Sequence, residues 1–214
     1  MLTVILTVIL AHFVALISPG PDFLLVVRSA LRNPPKRALG VAVGIAVANA
    51  IYIVLCILGV GAVIAHSLSI MIALKSFGGL FLIYIAYHAL KAKRTDYAFV
   101  ETANFDKTNV KNSPSFMKEC LYGLISGLSN PKNIIFYLSL FSVVLKPSID
   151  TKIVIGLGLW MTFIVFFWDA MIILFLSQPR VRAQFAMIAF YIDKIAGVLL
   201  GLVGIKLLQS AVKN

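Results

Sequence analysis

The sequence predicts an all-α polytopic membrane protein: six transmembrane helices, arranged as two inverted three-helix repeats, with helices 1 and 4 broken. Three observations carry the prediction. First, the 214 residues are 61% hydrophobic and 13% charged, with a mean hydropathy of +1.00. A soluble domain holds about 45–50% apolar and about 25% charged residues. Second, the apolar residues fall into six long runs joined by short polar connections. Third, two of those runs are interrupted at matching places, at Ser18-Pro19-Gly20-Pro21-Asp22 and at Ser129-Asn130-Pro131-Lys132. Broken spans at corresponding places in two halves are the best sequence pointer to a transporter-type binding site.

The first run, Leu2 to Leu31, would make a helix about 45 Å long, against about 30 Å of bilayer hydrocarbon. Proline removes a backbone donor and clashes with the preceding turn, so Pro19 and Pro21 cannot sit in a regular helix. Lipid cannot satisfy the freed carbonyls, so the break must face protein or a wet cavity. Gly20-Pro21-Asp22 reads as a fresh helix start, with Pro at the first position and an acid in the first turn. Arg28, Arg32, Lys36 and Arg37 surround the turn Asn33-Pro34-Pro35. Span two runs from about Leu39 to Ala65, with Gly40 and Gly44 on a face suited to close helix contact. Span three runs from about Leu68 to Leu90. The polar segment 91–113 separates the halves, so that 1–90 and 114–214 form one transmembrane domain over 1–214. Span four runs from Pro114 to Leu145, with Gly123 and Gly127 before its break and Asn130-Pro131 as cap and first helical residue. Span five, about Ile153 to Leu176, contains Trp168-Asp169, and span six, about Phe185 to Val212, contains Gly197 and Gly201.

The net charge of +11 does not indicate a nucleic-acid partner, because the charges lie in short inter-span connections, where the positive-inside rule puts them. Connections after spans one, three and five, with their adjoining ends, carry 12 Lys and Arg; the opposite side carries 4. That asymmetry puts both termini outside and makes the protein multi-pass. Three spans per half, an odd number, require inverted halves. Leu74-Lys75-x-x-Gly78 and Asp193-Lys194-x-x-Gly197 are similar openings of the last span in each half. No basic segment precedes the first apolar run and no A-x-A-like site ends it, so a removable leader is not expected. Cys56 and Cys120 show no C-x-x-C spacing, and His12, His66 and His88 show no metal-ligand spacing. No metal and no cofactor is implied. The sequence leaves a monomer and a homodimer open.

Four polar residues inside the spans are candidates for function. A charge in the bilayer interior costs at least about 2.5 kcal/mol, more than the roughly 0.3–1 kcal/mol that Asp22 gains at a helix N-terminus. Asp22 therefore reads as a ligand for an ammonium group, a proton carrier, or a partner for Lys132. Lys132 opposes the dipole of the half-helix it starts and lies near the midplane; a pair with Asp22 or a bound carboxylate would explain it. Asp169 is a proton site or a structural hydrogen-bonding group. Asn49 is a helix–helix hydrogen bond or a ligand group. Lys75 and Lys194 read as interfacial, His12 as an interhelical partner.

The Pro19-Gly20-Pro21-Asp22-Phe23 motif, the Asn130-Pro131-Lys132 motif, six spans and this length together resemble the LysE/RhtB family of amino-acid exporters. The resemblance covers the whole chain. It implies efflux of amino acids or their derivatives across a bacterial cytoplasmic (inner) membrane, driven by the proton gradient, and no enzymatic activity. Pro19, Gly20, Pro21, Asp22, Asn49, Asn130, Pro131 and Lys132 would line the substrate site, and Asp22 and Asp169 would couple protons. In that arrangement, half-helix N-termini offer backbone donors and Lys132 to a substrate carboxylate, and Asp22 meets its ammonium. Two other classes compete, a membrane thiol–disulfide electron carrier and a non-transporting membrane scaffold, which would not need buried Asp and Lys at two helix breaks; a metal-ion exporter is an alternative within transport. A membrane thiol–disulfide electron carrier needs cysteines at equivalent places, which Cys56 and Cys120 are not. A metal-ion exporter of related fold needs His or carboxylate clusters, which the spans lack.

Overall fold

The computed structural model describes residues 2–18, 20–60, 68–93, 95, 113–144 and 149–212. Pro19 and most of the 91–113 segment, Lys107 included, lie outside them. The described residues are helical almost throughout, with no strand among them.

Among the described residues eight α-helices follow one another: α1 (Leu2–Ile17), α2 (Pro21–Arg32), α3 (Pro35–Leu55), α4 (Leu68–Lys91), α5 (Phe116–Ser129), α6 (Pro131–Val144), α7 (Thr151–Leu176) and α8 (Pro179–Val212). A π-helical turn, Cys56–Val60, continues α3. Proline opens α2, α3, α6 and α8; it costs nothing there, because the first amides of a helix have no intrahelical acceptor. Elsewhere side chains cap the start. Ser115 Oγ accepts from the Lys118 amide at α5, and the Asp150 carboxylate accepts from the Lys152 amide at α7. Both expected breaks are present: α1 and α2 meet at a bend of 51°, and α5 gives way to α6 at Asn130.

Pro35–Gly59, Thr151–Leu176 and Lys194–Val212 are each long and apolar enough to cross a membrane, and the bent α1–α2 pair makes a fourth candidate. The two remaining expected segments are helical as α4 and as the α5–α6 pair. The last helix begins earlier than the apolar pattern suggests, at Pro179, because Pro179 supplies a start signal that hydropathy does not weigh.

Glycines set the closest contacts. A Cβ on Gly44 of α3 would fall on the backbone of Cys120 and Leu124 in α5, and one on Gly123 would fall on the Val41 carbonyl. Gly40 faces Phe116 and Gly127 faces Ala48, so α3 and α5 run parallel with their backbones in contact. Against α4, α8 runs antiparallel: Gly204 lies over the Gly79 carbonyl and Gly197 over that of Ala86. Small residues allow this approach, and dispersion contacts then hold the seam. Two apolar clusters flank the middle of the bundle. One gathers Val8, Leu82, Phe136, Phe141, Met161 and Leu200; the other gathers Phe23, Val26, Ile45, Ile172 and Leu176.

Candidate functional site

A small cavity of about 60 Å³ opens between the two clusters where the helix breaks meet. His12, Ser18, Gly20, Asp22, Asn49, Asn130, Lys132, Asn133 and Asp169 supply its polar wall. The fold thus brings together Gly20, Asp22, Asn49, Asn130, Lys132 and Asp169 from four helices and both breaks. Pro21 and Pro131 stand at the first positions of α2 and α6.

Each break leaves carbonyls without the amide that a continuous helix would supply. Side chains from the other segments fill these places. Lys132 Nζ donates to the Ser18 carbonyl at 2.6 Å. The Tyr52 hydroxyl donates to the Leu128 carbonyl, and Asn133 Nδ2 to that of Gly127 at 3.2 Å. The placement of Lys132, odd from sequence, has its reason here: the cation that opposes the dipole of α6 sits at the carbonyl end of α1, where a positive charge is favoured. Gly20 leaves room for it, since a Cβ there would lie 3.4 Å from Lys132 Cδ.

Asp22 makes the reciprocal crossing. Its carboxylate accepts from Ser126 Oγ at 2.6 Å, Asn130 Nδ2 at 2.8 Å and Asn133 Nδ2 at 2.7 Å. Ser126 and Asn133 were not among the expected site residues. Their signal was available: they lie one turn before and one turn after Asn130, so they share the region of the break. Asn130 also accepts from the Lys132 amide with its side-chain oxygen at 3.0 Å, and from the Asn133 amide with its backbone oxygen at 3.0 Å. This corrects one expectation. The first amides of α6 are occupied by Asn130 and do not converge on the cavity as free donors. The start of α2 differs, for Gly20 provides no side-chain cap.

Asn49 donates to the Ile45 carbonyl of its own helix at 2.7 Å, not to a neighbouring helix. An i−4 carbonyl within reach of a helical side chain competes well with a distant partner. Asp169, 5% exposed, has no hydrogen-bond partner among the described residues and lines the cavity. His12 Nε2 lies 3.3 Å from the Tyr137 hydroxyl, within a ring of Phe136, Tyr137 and Trp160. Lys194 closes a different helix: its Nζ donates to the Ala92 carbonyl at 2.7 Å and to that of Leu90, at the end of α4. Cys56 and Cys120 are both free thiols.

A second polar cluster was not foreseen. Glu119, 3% exposed, accepts from Ser29 Oγ and from Asn33 Nδ2, the latter at 3.0 Å. It ties α2 to α5 and lies outside the central cavity.

Residues 13–211 match the family described as LysE type translocator. The chain belongs to that family. The translocator is also similar to the threonine efflux protein of Escherichia coli (strain K12), 30% identical over 210 residues, which cover 98% of this chain and 100% of the relative. The threonine efflux protein of Salmonella typhi is 29% identical over 211 residues, with 98% and 100% coverage. The uncharacterized membrane protein YrhP of Bacillus subtilis (strain 168) is 25% identical over 194 residues, 89% of this chain and 91% of the relative. No solved structure matches this chain. The protein is a membrane translocator and not an enzyme.

Proposed function

We propose that this translocator is a secondary transporter that exports amino acids from the cytoplasm across a bacterial cytoplasmic membrane, coupled to protons. The observation that carries the reading is the presence of Asp22 and Lys132, opposite charges from the two helix breaks, in the wall of one cavity. A zwitterion presents a carboxylate and an ammonium a few ångströms apart, and this wall complements both. Lys132, with the uncapped start of α2, takes the carboxylate. Asp22 takes the ammonium; a carboxylate has about four acceptor positions, and three neutral donors occupy Asp22 now. Asn49 and Asn130 line the same space, and Asp169 serves as the proton site. Threonine, the amino acid in the relatives' names, is the first substrate to test.

In this reading α1–α2 and α5–α6 are broken spans one and four, and α3, α4, α7 and α8 are spans two, three, five and six. The parallel run of α3 with α5 and the antiparallel run of α4 with α8 agree with that alternation. Asp22 and Lys132 each follow the proline that opens a half-helix, as inverted repeats would have it. Rocking of one repeat against the other then exposes the cavity to each side in turn.

The test compares amino acids inside and outside cells with and without the protein after a load of threonine-containing peptide. Cells that make it should hold less threonine and release more; identical profiles for every amino acid would overturn the reading.

A further inference from the structure

Two polar atoms in the cavity wall are not used by the scheme above. Ser18 Oγ and His12 Nδ1 are buried and have no hydrogen-bond partner among the described residues. Ser18 is 1% exposed and His12 2%, and both line the central cavity. Buried polar atoms are nearly always hydrogen-bonded, so an orphan in a cavity wall marks a place where something else supplies the partner. We propose that Ser18 and His12 form a side-chain subsite that selects amino acids carrying a hydroxyl group. The inference rests on the exporter reading and deepens it from a class of substrate to the residues that choose among its members.

The position of Ser18 fits this role. Its backbone carbonyl holds Lys132 Nζ at 2.6 Å, so its side chain lies at the end of the cavity that takes the substrate carboxylate. A hydroxyl on the β-carbon of an amino acid sits beside that carboxylate. His12 stands six residues earlier on α1, about 9 Å along the helix axis, towards the far end of a side chain. Its Nε2 is engaged with the Tyr137 hydroxyl. That bond exists in either tautomer, and Nδ1 is correspondingly an acceptor or a donor. A hydroxyl donates and accepts at once, so it can pair with Nδ1 in either tautomer or with Ser18 Oγ. A methyl group of the same size satisfies neither. Ala15, Leu16, Phe23, Phe136 and Val165 supply the apolar part of the same cavity wall.

The experiment uses the full chain in liposomes loaded with equal concentrations of two labelled isosteres, threonine and valine, and in a second set serine and 2-aminobutyrate. A site that hydrogen-bonds a substrate hydroxyl strongly rejects the analogue without it, and the hydroxylated member of each pair should leave at least about tenfold faster. Ser18→Ala, and separately His12→Phe, should bring the ratio towards one, with rates normalised to inserted protein. Equal rates for the two members of both pairs in the unmodified protein would overturn the subsite while leaving the exporter reading in place; ordered water would then be the partner of both atoms. Retention of the full ratio in both variants would also overturn it. Release of no amino acid would overturn the exporter reading itself. The isostere comparison in the unmodified protein decides the matter even if a variant does not fold.

Discussion

Lys132 Nζ lies 2.6 Å from the Ser18 carbonyl oxygen, so the residue that starts one half-helix completes the end of another. Asp22, at the equivalent position after the other proline, reaches the opposite way to Asn130 and Asn133. Each break is thereby closed by a charge that belongs to the other. The arrangement solves the problem that a broken helix poses in lipid, where water is not present to satisfy freed backbone groups. It also leaves both charges in the wall of the central cavity.

The α3–α5 seam should tolerate no side chain. Gly44→Ala places a methyl on the backbone of Cys120 and Leu124, and overpacking of this kind typically costs about 1–3 kcal/mol. Gly59→Ala is the control, since a Cβ there meets nothing within 4 Å. Thermal unfolding in detergent should show a lowered midpoint for Gly44→Ala and none for Gly59→Ala.

Lys194 Nζ holds the carbonyls of Leu90 and Ala92 at the end of α4. Lys194→Met removes the cation from the carbonyls of Leu90 and Ala92, an interaction worth about 0.3–1 kcal/mol at a helix C-terminus. A small loss of thermal stability with normal threonine efflux is expected. Loss of efflux at normal stability would instead make Lys194 part of the transport path.

Much of this architecture is legible in the sequence, for identifiable reasons. Proline and glycine announce the breaks by their backbone chemistry alone, and Gly40, Gly44, Gly123 and Gly127 announce the seam by spacing. The presence of Asp22, Lys132, Asn49 and Asp169 around one cavity follows from their being polar residues in apolar runs. What the sequence does not carry is which partner each polar group finds. Lys132 meets Ser18 across 114 positions, and Glu119 meets Ser29 across 90. Such contacts depend on how helices pack, and a helix presents the same side chains whichever neighbour it meets. Asn130 illustrates the limit in another way. It was legible as a cap, but its second use, as a donor to Asp22, required the fold.

Asp169 is the proposed proton site. Its carboxyl lines the cavity without a protein partner among the described residues. Asp169→Asn should abolish the acceleration of threonine efflux by an imposed proton gradient while leaving threonine–threonine exchange, which needs no net proton movement. Flux assays in liposomes with and without the gradient read both. An unchanged response to the gradient would assign the proton to another group.

The orientation is tested by fusion. A reporter placed after Lys107 should be active only in the cytoplasm, and one placed at Asn214 only outside. Activity of both on the same side would contradict an odd number of spans between them and, with it, the inverted repeat.

The most direct measurement of the central claim is threonine efflux from liposomes for Lys132→Met, Asp22→Asn and the double variant, with thermal unfolding recorded on the same preparations. Lys132→Met leaves the Ser18 carbonyl, and Asp22→Asn leaves the donors on Ser126, Asn130 and Asn133, without their charged partner. Hydrogen bonds to charged groups are worth about 1.5–3 kcal/mol. Each single variant should unfold earlier and export nothing. The structure does not pair Asp22 with Lys132 directly, since each is held by neutral groups of the other break. The double variant should therefore be no more stable than either single variant, and it should still export nothing, since neither end of the zwitterion has its partner. Normal export by the double variant would contradict the account: the two charges would then only close the helix breaks, and recognition of the amino acid would lie elsewhere in the chain.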